Sequence, residues 1–355
     1  MRRYPGQANG FVLVLVLGVL VVLSLLAAGI AATAQRLRDE ELDRQAALQD
    51  ALDMADTRAG VIYLLLTQRR TFGGLTVDAR VALSQDEQVV AQSGDEPLSL
   101  MPVGTEILLD GTEYAGLGEV RFALQDDRGR LPVNWVPALL VGRILGLEGT
   151  NADPTTLVNL LADYQDTDDL YRLNSAEKDR YEREGRSPPS NRPLVTPLEL
   201  RRVIGWDRAL AGRSDADLVR MLTPVRSASL NVNTAAPEVL QAIPGVDEAA
   251  ARRIVDARAL RPFTSLAAAY QVLGTVPGDE GLLSLYPMDS GTLALSSPRG
   301  GALRVLHWTL TPFDRGGRPW REDYEFALPK DDRAAQGVVR DSAAKVFVRA
   351  EAPSP

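Results

Sequence analysis

The chain has 355 residues, 45% hydrophobic and 24% charged, with 22 prolines and 29 glycines; that is the balance of a folded globular protein and not of a disordered or collagen-like one. Thirty-nine Lys and Arg against 47 Asp and Glu leave a net charge of -8, which withholds the basic excess that non-specific binding to duplex DNA relies on. With no cysteine and a single histidine, His307, disulfides, thiolate metal ligands, thiol nucleophiles and multi-histidine zinc sites are excluded, and the length predicts two or three domains.

The first element runs from Phe11 to Ala34, FVLVLVLGVLVVLSLLAAGIAATA, 24 residues without a charge. As a helix it covers roughly 36 Å, enough to cross a bilayer core of about 30 Å. The residues ahead of it carry Arg2 and Arg3 and no acid, so the positive-inside rule puts this end in the cytoplasm and the remainder on the far side of the membrane. A secretory signal peptide has a shorter apolar run and a small-x-small cleavage site, and Ala27-Ala28-Gly29 and Ala31-Ala32-Thr33 keep that alternative open. From Gln35 to Gln68 there is no proline, Gly60 is the only glycine, and Leu48, Leu52, Ala55, Ala59, Ile62 and Leu66 recur at helical spacing. This predicts an apolar stripe on a helix that, if unbroken from Phe11, is about 87 Å long.

Strand signals follow. A plausible strand is LTVDARVAL, beginning at Leu75, and EILL, Asp110-Gly111 and TEYA read as a short hairpin, because Asp-Gly supplies the positive φ angles of a primed turn. VRFALQD, Asp127-Arg128-Gly129 and RLPVNW read as a second hairpin. Beyond Val136 such signals stop. They return at TLALS (292–296), ALRVLHWTLTPF (302–313) and WREDYEFAL (320–328), with Arg315-Gly316-Gly317 as a turn and a further candidate strand at KVFVR (345–349). Between the two groups lie helix starts: Asp153-Pro154, where Asp caps and Pro suits the first turn, and Thr196 with Glu199 and Ser214 with Asp217, both at capping-box spacing. Strands, a helical block and strands again describe a helical domain looped out of a small sheet, which is tolerated where the insert's ends lie close together.

Two motifs could carry function. Leu230 to Tyr270 holds a helix, Ile243-Pro244-Gly245-Val246 and a second helix with Ile254 and Val255 on its apolar side, close to a helix-hairpin-helix. In DNA-binding hairpins, backbone N–H groups at the second helix's N-terminus reach a phosphate. Here Asp247 and Glu248 stand in that turn and oppose an anion, while Arg252, Arg253, Arg258 and Arg261 keep a nucleic-acid reading open beside a packing role. The second motif is the acidic run Asp163, Asp166, Asp168 and Asp169, followed by Asn174 and Glu177. Hard cations want several oxygen ligands, but the spacing is not that of an EF-hand, and a solvated acidic loop remains the alternative. His307 alternates with apolar residues and reads as a strand residue; Trp135, Trp206, Trp308 and Trp320 read as core or interface. Phosphate-binding glycine loops are absent from the sequence.

The short basic leader ending in Gly10, with Phe11 opening an apolar helix that continues into an amphipathic half, resembles a class III prepilin signal. The resemblance implies cleavage between Gly10 and Phe11 by a prepilin peptidase, N-methylation of Phe11 and burial of the helix in a filament core. Most members carry Glu at the fifth mature position; here that residue is Leu15, which suits a subunit with no neighbour above it. An apolar fifth residue, an inserted helical domain and the LNVNTA-P-EVL phrase resemble the K-type minor pseudopilins of type II secretion. The fold class implied is α+β: a pilin-like fold with a long N-terminal transmembrane helix and a small antiparallel sheet, interrupted by a large inserted all-α domain containing the helix-hairpin-helix-like unit. The expected divisions are a leader at 1–10, a long helix at 11–70 with its membrane span at 11–34, sheet regions at 71–136 and 289–350, the helical insertion at 137–288 and a tail at 351–355.

By the same resemblance the chain is a non-enzymatic, single-pass protein of the bacterial inner membrane, its N-terminus cytoplasmic and its bulk periplasmic. It would cap the pseudopilus and start its assembly with I-type and J-type minor pseudopilins and the major pseudopilin. DY-x-D-x-DDL followed by LN-x-A-E and NRPL resembles the family's calcium segment, which gives Asp163, Asp166, Asp168 and Glu177 as implied ligands of a structural calcium ion. The rival readings are a minor pilin of a type IV or DNA-uptake pilus and a membrane-anchored DNA-binding protein; no nucleic acid is expected as a partner.

Overall fold

The computed structural model describes residues 9–77, 100–135, 137–146, 153–274, 280–300, 302–312, 314, 317–329 and 338–348. The leader up to residue 8, the candidate strand beyond residue 77, the turn residues Arg315 and Gly316, and the tail at 351–355 lie outside the described residues. The chain divides into two compact units, Met1–Leu52 and Asp53–Pro355.

Helix α1 spans Asn9–Thr67. In the first unit its apolar run from Val12 is exposed all round. It is the one helix among the described residues long and apolar enough to cross a membrane. Once past the apolar run the helix becomes polar, with Arg44 beside Glu40 and Glu41, the i, i+4 and i, i+3 pairs that support a solvated helix.

In the second unit, the end of α1 meets the sheet with a different face from the one periodicity selects. Leu52, Ala55, Ala59 and Leu66 are exposed and only Ile62 of the stripe is buried, whereas Asp53, Thr57, Val61, Leu64 and Leu65 face inward. The reason is a polar contact: Thr57 Oγ1 accepts the Leu117 N–H at 3.0 Å, and Gly116, lacking a side chain, lets the turn approach Thr57 closely. An apolar count cannot foresee that a threonine and an aspartate lie on the docking face.

After α1 come two short paired strands, β1 (Arg70–Thr71) and β2 (Gly74–Leu75), then β3 (Asp110–Ala115) and β4 (Arg121–Asp126). The insertion follows with β5 (Leu131–Pro132), α2 (Ala138–Ile144), α3 (Pro154–Gln165), α4 (Lys178–Arg183), α5 (Trp206–Ala209), α6 (Asp215–Met221), β6 (Leu222–Thr223), β7 (Leu230–Asn231), α7 (Pro237–Gln241), α8 (Glu248–Leu260), α9 (Leu266–Leu273) and β8 (Leu283–Ser284). Strands β9 (Ser290–Ser296), β10 (Ala302–Leu310) and β11 (Trp320–Pro329) complete the chain's main sheet. Its order is β11-β10-β9-β4-β3, with every neighbouring pair antiparallel. Asp126 at the end of β4 lies opposite Gly291 at the start of β9, so the chain leaves and re-enters the sheet at adjacent points, the geometry that lets a domain be looped out without breaking the ladder.

One sheet face, with Phe122, Leu124, Leu293, Leu306 and Trp308, packs on Val61 and Leu64 of α1. The insertion has its own core around Leu160, Tyr181, Leu200, Trp206, Leu240 and Ile254. At about 25 cal/mol per Å² of apolar surface buried, two separate cores give each part its own driving force to fold.

Three local expectations are corrected. Asp110-Gly111 is not a hairpin turn but lies inside β3, where the register against β4 shifts between Asp110 and Glu113 and Gly111 adopts φ +85°; the positive φ builds a bulge, and EILL makes only an isolated bridge, Ile107 to Leu75. Asp127–Gly129 forms a 3-10 turn that carries the chain out of the sheet, and Leu131–Pro132 pairs in parallel with Leu222–Thr223 instead of folding back on β4. KVFVR is not a strand: Lys345–Phe347 is a 3-10 turn, with Phe347 packed 4.8 Å from the Phe122 ring. The capping signals divide. Asp153 and Ser214 cap α3 and α6, the latter as a full capping box. Thr196 precedes a 3-10 helix, Pro197–Arg202, and makes no side-chain cap.

Candidate functional site

Gly10 and Phe11, the processing pair given by the leader, lie in the first turn of α1, and Leu15 is exposed on it.

The acidic run occupies the end of α3 and the loop leading to α4. Asp163 is buried on the last turn of α3. It accepts the Arg172 backbone N–H at 2.9 Å, as well as hydrogen bonds from the Arg172 guanidinium and the Ser175 hydroxyl. The same guanidinium bridges to Asp166. Asp168 accepts the Leu170 N–H at 2.9 Å in a local turn, and Asn174 takes φ +58° to bring the chain round. Glu177, just ahead of α4, is only 2% exposed, and neither of its carboxylate oxygens has a hydrogen-bond partner; Asp166 Oδ1 is likewise buried and unpartnered. Burial, followed by the charges of Asp163, Asp166, Asp169 and Asp168, pushes the Glu177 carboxyl up to about 7.

All four residues picked from the sequence therefore belong to one electrostatic neighbourhood, though among the described residues no group of three acids converges as a ready metal cage, since Arg172 bridges two of them. Three orphaned carboxylate oxygens with no donor fit a hard cation, whose demand is for oxygen ligands. Asp166 and Glu177 carry those free oxygens, whereas both oxygens of Asp163 accept from Arg172 and Ser175 and Asp168 accepts one hydrogen bond within its turn. When bound, a calcium ion would supply positive charge and fix the loop.

In the hairpin unit, Gly245 takes φ +80° between α7 and α8. Asp247 caps α8, its carboxylate accepting the Ala250 N–H at 2.7 Å. The donors that a phosphate would use are thus met by an acid. Three of the four arginines are engaged as well: Arg252 pairs with Glu248, Arg253 donates to the Val272 carbonyl at 3.3 Å, and Arg258 donates to the carbonyls of Val232 and Ala235 at 3.0 and 2.6 Å, while Arg261 is exposed.

The polar letters of LNVNT have a structural explanation. Asn233 donates to the Phe263 and Leu285 carbonyls at 2.9 and 3.2 Å and accepts the Phe263 N–H at 2.9 Å. Asn231 and Thr234 donate to Asp126 at 3.1 and 2.8 Å. Buried amides bonded on both sides fix a unique packing, so the phrase fastens the hairpin to the end of β4.

Sequence reasoning missed the residues around that joint: Asp127 and Asp323 flank His307, Arg130 pairs with Asp127, and Asp126 beside it holds Asn231. The only signals available were an Asp-Asp pair closing a strand and a histidine in an apolar one. Of the tryptophans, Trp206 and Trp308 are buried, while Trp135 is exposed and carries Arg226 5.6 Å over its ring.

Residues 230–282, the hairpin segment from LNVNT to the turn before β8, match the family model described as type II secretion system (T2SS), protein K. No curated protein matches the sequence. The fold is similar to a chain in the crystal structure of the GspK-GspI-GspJ complex from the enterotoxigenic Escherichia coli type 2 secretion system, with a TM-score of 0.50 and 15% identity over 83% of this chain and 100% of that one.

Proposed function

We propose that this chain, which carries the protein K segment of the type II secretion system on the fold of a chain from the GspK-GspI-GspJ complex, works as a K-type minor pseudopilin. The observation that carries the reading is the coincidence of two features: the matched segment at 230–282, and a small antiparallel sheet, opened between Asp126 and Ser290, that is preceded by a long apolar helix. The role is one of assembly, not catalysis.

In this reading the leader is removed after Gly10 by a prepilin peptidase and Phe11 is methylated. The helix sits in the inner membrane with its N-terminus cytoplasmic until it is drawn into the pseudopilus, where neighbouring helices replace lipid around Val12 to Leu26. I-type and J-type minor pseudopilins are the partners, as in the similar complex, and the major pseudopilin continues the shaft. Leu15, in place of an acid that would pair with a terminal amine above it, and a bulky inserted domain both suit the tip. A structural calcium ion held by Asp163, Asp166, Asp168 and Glu177 would neutralise the acidic loop.

The test is processing. Replacing Gly10 with a bulky residue in cells containing the native peptidase should leave a precursor of full mass and abolish secretion of type II substrates. Normal N-terminal cleavage and secretion by Gly10→Leu would refute the assignment.

A further inference from the structure

The root of the insertion holds ionisable side chains that the assembly role leaves unused. Asp127, Arg130 and His307 are fully buried. Asp127 Oδ1 accepts from Arg130 Nη2 at 2.5 Å and from the Thr223 hydroxyl at 2.8 Å. Its Oδ2 accepts the Ser290 hydroxyl and lies 2.9 Å from His307 Nε2. The other nitrogen of the same ring, Nδ1, is 2.8 Å from Asp323 Oδ2. Asp323 is the extra residue of a bulge, since His307 lies opposite Tyr324 and Trp308 opposite Glu322. It also accepts from the Thr309 hydroxyl at 2.6 Å and from Arg321 Nε at 2.7 Å.

Both carboxylates are therefore surrounded by donors, and one ring has a carboxylate at each nitrogen. A neutral imidazole has a single N–H and would set a lone pair against one of them; only the imidazolium donates from both nitrogens. Arg130 already faces Asp127 and Arg321 already faces Asp323, so removing the ring proton withdraws the one positive charge that the two carboxylates share and sets a ring lone pair against one of them. Burial disfavours the His307 cation, but Asp127 and Asp323 outweigh burial and the Arg130 charge, and hold its pKa above the ordinary 6.5. Tyr324, whose ring centroid is 4.9 Å from that of His307, is kept neutral because burial pushes its phenol upward. Asp126, beside Asp127, is held by Asn231, Thr234 and the Met288 N–H.

The cluster joins parts of the chain far apart in sequence. Thr223, Asn231 and Thr234 belong to the insertion; Ser290, His307 and Asp323 belong to three strands of the sheet. A cavity of about 350 Å³, lined by Trp135, Val195, Val225, Thr309 and Asp323 among others, opens beside His307 and gives the proton a route to solvent.

We propose that His307 is a buried imidazolium pin clamping the root of the inserted domain to the sheet, and that loss of its proton as pH rises releases the clamp. The stabilisation is complete below 6.5, the pKa of the free side chain, and is lost as pH rises through the raised value in the folded protein. Below that midpoint the insertion is held rigid; above it the insertion loosens while its own core stays folded.

Because His307 is the only histidine, the full chain without a histidine tag, purified in detergent micelles and labelled with 15N and 13C at histidine, reports on it alone. Both ring nitrogens should be protonated below a single midpoint, and that midpoint should lie above 6.5. Amide exchange at Thr223, Asn231 and Thr234 should accelerate roughly tenfold across that midpoint, while protection inside α8 persists. Asp323→Asn should lower the midpoint by about one unit, a tenfold loss of proton affinity. A midpoint at or below 6.5, or exchange at those three amides that ignores the titration, would overturn the proposal, and the unmodified chain decides it even if the variant misfolds.

Discussion

Glu177→Gln separates the metal-free cost of the acidic loop from any benefit of calcium. Glu177 is 2% exposed, both its oxygens lack partners, and its carboxyl is raised from 4.5 to about 7, by burial first and then by Asp163, Asp166, Asp169 and Asp168. A shift of that size corresponds to roughly 3 kcal/mol against the ionised form. The folded chain binds the extra proton between 4.5 and about 7, so in a chelator the Glu177 contribution to stability should fall as pH rises through that window and level off above it. Glutamine keeps the shape and removes the charge. At about pH 8 in EDTA the variant should therefore melt up to about 6 °C higher than the parent, taking about 2 °C per kcal/mol for a protein of this size, and its melting temperature should depend less steeply on pH in that window, where Asp126 and His307 still titrate in both chains. Calcium should reverse the ranking, raising the parent's midpoint and leaving the variant's nearly unchanged. Differential scanning calorimetry of the full chain in detergent, with and without calcium, measures both. A variant less stable than the parent in EDTA, or one that gains as much from calcium, would refute the reasoning.

Other expectations are smaller in scope. Arg130→Ala leaves Asp127 buried with one cation fewer, and should cost about 3–5 kcal/mol in chemical denaturation; a loss below about 1 kcal/mol would mean that water replaces the guanidinium. Asp247→Ala removes the cap of α8 and should cost about 1 kcal/mol, read as faster amide exchange in the first turn of that helix, without any gain in DNA binding. A filter-binding titration of the parent at low salt should show no salt-sensitive affinity of the kind that phosphate contacts produce.

The α1 helix shows where sequence information ends. Its existence and apolar half follow from a charge-free run and the absence of proline, because helical hydrogen bonds are local and need no distant partner. Which face docks does not, because Thr57 is chosen by a backbone N–H on the β3–β4 turn, some 60 residues away. The strands β9, β10 and β11 were likewise legible from alternation, whereas Asp110-Gly111 misled: the same positive φ that makes a turn also makes a bulge, and only the pairing partner distinguishes them.

The functional residues divide in the same way. Asp163, Asp166, Asp168 and Glu177 are close in sequence, so their clustering could be read from spacing, although Arg172 bridging two of them could not. The cluster at His307 draws on residues from Asp126 to Asp323. By itself the sequence determined the long helix, the strands β9 to β11, the hairpin phrase and the acidic loop, all of which rest on neighbours along the chain. The tertiary structure alone decided the order of the sheet, the docking face of α1 and the buried ion cluster at the root of the insertion, because burial and charge pairing depend on distances in space that no spacing along the chain encodes.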